Sequence, residues 1–228
     1  MRKHSFTLIE LLVVIALAAL LMGIGLPALS NLTSGRLPEQ GASQIAALLD
    51  LARVTAVSDN QYAALVFPVA VSTEANTGAP ADYRNSVCRM AIVYKNTSDK
   101  YEFVKWAPDS KWEHFPEGVI LNGGTTDFGV QDGTDKSVDC GTDFQVLKVN
   151  GATSDANVAR CVIFKPNGQL VMPSGYEMKN MVIRLVEGVR LPDGGIQLKK
   201  DSDGKVIYTS LIINPLTGRS EIKTSDPE

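Results

Sequence analysis

Histidine is scarce in this chain of 228 residues: His4 and His114 are the two present. That leaves little material for a zinc centre or a histidine general base. His4 belongs to the N-terminal pentapeptide. His114, in Trp112-Glu-His-Phe115, has no metal-ligand spacing around it and reads as structural. No zinc-protease motif, nucleophile elbow or phosphate-binding glycine loop occurs, so no enzyme, cofactor or metal is expected. An excess of basic charge is lacking too. Against 22 Lys and Arg stand 25 Asp and Glu, a net charge of −3. Broad phosphate-backbone binding needs clustered basic residues, so a nucleic-acid partner is not expected. Cysteine is sparse, and none precedes Cys88, which excludes a lipid-modified cysteine near the amino terminus.

What the chain has in plenty is apolar surface near its start. From Phe6 to Leu26, a run of 21 residues, Glu10 is the only charge, and Pro27 follows directly. A helix of that length is long enough to cross a bilayer. A conventional secretory signal has an apolar core of only ~7–15 residues and then a small-residue cleavage site. The longer run here is expected to stay, with Arg2 and Lys3 holding its start on the cytoplasmic side. Glu10 admits two readings. Thr7-Leu-Ile-Glu10 fits a capping box, with the carboxylate near the positive end of the helix dipole. Alternatively, a carboxylate placed in an apolar run at a cost in free energy serves a function there.

The stretch Lys3-His-Ser5-Phe6-Thr-Leu-Ile-Glu10-Leu-Leu-Val-Val-Ile resembles the class III signal of type IV pilins and type II secretion pseudopilins. The resemblance covers about the first 30 residues. It implies that a prepilin peptidase cuts between Ser5 and Phe6 and methylates the new amino terminus. Glu10 then becomes the fifth residue and pairs with the Phe6 amine of a neighbouring subunit. Pro27 takes the place of the helix-bending proline. One departure is Ser5, where the family usually has glycine; a small residue still fits, and cleavage is expected.

Beyond this run, Ala42, Ile45, Leu48, Leu49 and Ala52 recur at helical spacing, which predicts an amphipathic continuation to about Ser58. Gly23, Gly25, Pro27, Gly35 and Pro38 predict kinks or a break between about 23 and 38. After Asn60 the pattern turns to short strands: 62–67, 88–94, 101–106, 144–149, 160–164, 169–172, 181–186 and 206–213. Lys95–Lys100 is expected to close a hairpin. Lys165-Pro-Asn-Gly168 and Asn214-Pro-Leu-Thr-Gly218 read as turns, because proline presets φ and glycine accepts a positive one. The expected class is α+β: a long N-terminal helix packed on an antiparallel β-rich domain in sandwich-like packing. The boundaries are a leader at 1–5, the helix at 6–58 and the β-rich domain at 59–228.

Cys88, Cys140 and Cys161 all lie in the exported part, where one disulfide is plausible and three pairings are open. The alternative is that Cys88 and Cys161 are small buried hydrophobes. Between Gly123 and Asp143 five aspartates alternate with Gly and Thr. The spacing matches no defined calcium loop and suits an exposed insertion.

Three further motifs, Leu51-Ala-Arg53-Val-Thr-Ala56, Val162-Ile-Phe164-Lys-Pro-Asn-Gly168 and Leu216-Thr-Gly218-Arg219, resemble minor pseudopilins of the GspH/FimT type. That resemblance implies a low-abundance, non-enzymatic filament subunit of a type II secretion pseudopilus or type IV pilus. Its partners would be prepilin peptidase, other pilin or pseudopilin subunits and the inner membrane. The chain would be a single-pass protein with its C-terminal domain outside the cytoplasm. The alternatives are a DNA-uptake minor pilin and a static membrane-anchored domain with binding or hydrolase activity. In some relatives basic residues near the Gly-Arg motif serve DNA uptake; here Glu221 stands where a second arginine would be expected.

Overall fold

The computed structural model describes residues 8–33, 37–68, 83–97, 101–121, 128–131, 137–138, 160–172, 175–191, 195–200 and 203–224, with only the backbone of 22–33, 128, 131, 137 and 138. It divides into two units, Met1–Arg36 and Leu37–Glu228.

The first unit contains helix α1, Leu8–Thr33. Leucine and alanine are strong helix formers, and the β-branched Val13, Val14 and Ile15 cost little within so long a run. The apolar residues go all the way round, so no face of α1 is marked for a water-facing role. Every side chain from Leu8 to Leu21 is exposed. Of the positions named for an interruption between about 23 and 38, Gly23, Gly25 and Pro27 lie within α1, which runs on to Thr33, and the second helix begins at Leu37. Proline removes one ladder hydrogen bond and leaves the rest, which is not enough to end this helix. Among the described residues no helix is long and apolar enough to cross a membrane.

The second unit opens with α2, Leu37–Ser58. Pro38 sits in the first turn, where its missing N–H is not needed. Gly41, Ala42, Ile45, Leu49, Ala52 and Ala56 form its buried face. Helix α2 ends where Asn60 takes a left-handed φ of 51° and the Gln61 N–H donates to the Ala56 carbonyl at 3.1 Å. Among the described residues twelve strands follow: β1 Tyr62–Phe67, β2 Val87–Lys95, β3 Tyr101–Trp106, β4 Glu113–His114, β5 Val119–Leu121, β6 Phe128–Gln131, β7 Ser137–Val138, β8 Arg160–Phe164, β9 Met181–Arg190, β10 Ile196–Leu198, β11 Tyr208–Ile213 and β12 Ser220–Thr224.

They form two antiparallel sheets. One has the order β3-β2-β1-β8, with β4 beside β2. The other has the order β12-β11-β9-β6-β7, with β5 and β10 also paired to β9. Strands β1 and β8 are buried on both faces, which is why they read as unbroken apolar runs. Helix α2 packs on β1 and β8 of the first sheet and on β5, β9, β11 and β12 of the second. The strand count had pointed to sheet on sheet; α2 supplies a covering layer for both. Ile45, Leu49, Leu65, Phe67, Phe164 and Ile183 are fully buried in the shared core. Burying side chains of this size stabilises the fold by about 1.5–3 kcal/mol each.

The predicted hairpin at 95–100 appears as the β2–β3 pair. The predicted strand 169–172 shrinks to one bridge, Leu170 to Phe164. The Val171 N–H still donates to the Ile163 carbonyl of β8 at 2.8 Å, while on the other edge the Leu170 N–H donates to the Pro215 carbonyl at 2.9 Å. The predicted strand 144–149 lies outside the described residues.

Candidate functional site

Of the N-terminal residues singled out by sequence, Ser5 and Phe6 lie outside the described residues. Glu10 stands in the first turn of α1, exposed, where the amino-terminal end of the helix dipole favours a carboxylate. Pro27 lies within α1. What α1 presents from Leu8 to Leu21 is therefore an apolar cylinder with one carboxylate at its start.

In the second unit the three motifs of the α2 end and the two turns meet at one place. At the β8 turn the Gly168 N–H donates to the Lys165 carbonyl at 2.8 Å, and Gly168 has φ 82°. The β11–β12 turn closes with a bond one residue longer: the Gly218 N–H donates to the Asn214 carbonyl at 2.8 Å, with φ 66°. Asn214 Oδ1 accepts from the N–H groups of Leu216 and Thr217, both at 3.0 Å. Arg53 of α2 reaches across, its Nη1 donating to the Thr217 carbonyl at 2.9 Å. A methyl group on Gly218 would stand 2.7 Å from the Arg53 Cδ and 2.7 Å from the Gly168 carbonyl oxygen. Glycine is required there twice over, by the left-handed backbone and by the closeness of the three segments. The sequence marked the two turns; it did not mark Arg53 as the side chain that joins them.

The two ends of α2 are tied to different parts of the sheet. Near its start, Thr224 Oγ1 donates to Glu39 Oε1 at 2.8 Å and Gln44 Nε2 donates to the His114 carbonyl at 2.9 Å. Near its end stands the Arg53 junction. His114 is exposed, with Tyr83 edge-on to its ring at 4.5 Å. Among the described residues no cluster of His, Cys, Asp and Glu could hold a metal ion.

The cysteines do not bridge as a Cys88–Cys161 pair. Cys161 faces Val66, whereas the register of β1 and β2 places Cys88 opposite Phe67. The two thiols thus lie on opposite faces of the sheet, with β1 between their strands. Two strand spacings amount to ~9.5 Å. A disulfide needs Cα atoms within ~7 Å. Both thiols are buried. Burial pushes the Cys161 thiol up to about 12. Burial, with the Glu113 carboxylate adding to it, pushes Cys88 up as well. Cys140 lies outside the described residues, as does the acidic stretch apart from 128–131 and 137–138.

Sequence reasoning also missed a cluster on the first sheet. The irregularity between Ile92 and Val93 brings Phe103 and Trp106 into rows opposite Val93 and Ala91, on one face despite their odd spacing. The Arg89 guanidinium lies 4.4 Å from the Trp106 ring centroid and 5.8 Å from that of Trp112, and it donates to the Ser110 carbonyl at 2.8 Å. Partial burial lowers its pKa from the ordinary arginine value. The rings meet edge to face, Phe103 on Trp106 and Trp106 on Trp112, so this cluster locks the 107–112 loop. The signal available was the density of aromatics from Tyr101 to Trp112.

Comparison with known proteins adds three findings. The family model of the prokaryotic N-terminal methylation motif matches residues 1–26. No curated protein matches the chain. Among solved structures, the type IV minor pilin FimU of Pseudomonas aeruginosa is similar over 83% of this chain and 88% of its own, at 12% identity and a TM-score of 0.36.

Proposed function

We propose that this chain is a minor pilin-like subunit without enzymatic activity, processed at its amino terminus and assembled into a filament. The observation that carries the reading is the methylation motif over residues 1–26, on a helix whose described side chains are apolar and exposed apart from Glu10. Cleavage between Ser5 and Phe6 leaves Phe6 with a free, methylated amine. The apolar run from Phe6 to Leu26 then holds the subunit in the inner membrane, with the second unit outside the cytoplasm. During assembly α1 passes from lipid to a bundle of similar helices, an environment equally apolar.

Glu10 gives that transfer its direction. A carboxylate in a medium of low dielectric constant is strongly penalised unless a cation lies beside it. The Phe6 amine of the next subunit supplies one. The pair forms at one axial offset only, so it sets register along the filament. Pro27 removes one hydrogen bond of α1 and provides the point where the helix bends. The second unit sits outside the helical bundle and presents its loops to partners. Secretion pseudopilus and type IV pilus both accommodate this mechanism.

The test is the N-terminal sequence and intact mass of the protein extracted from membranes of a host with prepilin peptidase. A chain beginning at methylated Phe6 is expected. A chain still beginning at Met1 would make α1 a static anchor and remove the basis for assembly.

A further inference from the structure

We draw no further inference here: the strongest candidate, the exposed apolar patch that Leu51, Val54 and Val57 form on the outward side of α2, carries nothing because nothing in the structure shows what covers it.

Discussion

In α1 the leucines, isoleucines and valines from Leu8 to Leu21 stand exposed, between 48% and 84% where large hydrophobics are concerned. In α2, three residues further along the chain, Ile45 and Leu49 have lost essentially all their surface to the sheets. Both helices are rich in Leu, Ala and Val. What separates them is the distribution: α2 alternates its apolar positions with Glu39, Gln44, Asp50 and Arg53, whereas α1 has Glu10 alone over the same span. An amphipathic helix finds its partner within its own chain. A helix apolar all round must find lipid or other helices. On the proposed function, the contrast places stability in the second unit and assembly in the first.

The contrast breaks most visibly if the units are separated. A chain beginning at Leu37 is expected to stay folded and monomeric and to lose membrane retention altogether. Circular dichroism and membrane fractionation check both halves of that statement; loss of the fold would show that α1 contributes to the core. Next in size is Phe164→Ala, which empties a fully buried site where β8 meets the α2 junction. It is expected to destabilise the second unit by about 3–5 kcal/mol in denaturant titration and to leave cleavage at Ser5 untouched.

Gly218→Ala is expected to cost about 2–4 kcal/mol, from the left-handed φ and the crowding against Arg53 and Gly168 together. Gly175→Ala is the control, because that glycine has φ 86° but open space around it. It should cost about 1–2 kcal/mol, the backbone contribution alone. Equal losses would mean that the junction is not tightly packed.

The thiols sharpen the comparison by pH. Cys88 and Cys161 have folded pKa values above the unfolded value near 9, so the unfolded chain releases protons first as pH rises. Their contribution is fully present below pH 9 and is lost between there and the folded values. Stability is expected to fall by about 1.4 kcal/mol per pH unit per thiol above pH 9. Cys161→Ala should halve that slope in thermal melts at pH 8 and pH 10.5, while a slope as steep as the wild type's would place the thiol outside the core. Alkylation of either thiol should require unfolding.

Much of this was legible in the sequence because the relevant physics is local. Short apolar runs and proline-glycine turns marked β1, β3, β8, β9 and both ends of the junction. The α2 stripe was clear from its spacing. Failures fell where long-range contacts decide. The interval 23–38 was marked for kinks or a break, but which residue would end α1 was not: the helix runs through Pro27, because its other hydrogen bonds remain, to Thr33. The strand expected at 169–172 survives only as the Leu170–Phe164 bridge, and its other edge meets Pro215, a partner no local window contains. Arg53 stood in the sequence only as one residue of a motif, and only the meeting of segments 164 residues apart gives its side chain a role. Phe103 and Trp106 share a face only because of an irregularity in register that spacing alone cannot show.

The most direct test of the division between the two units is Glu10→Ala, with filament incorporation and second-unit stability measured on the same preparation. Incorporation should fall to a small fraction of wild type while membrane insertion and the melting temperature stay unchanged. Incorporation at the wild-type rate would contradict the register role of Glu10, and a lowered melting temperature would contradict the independence of the two units.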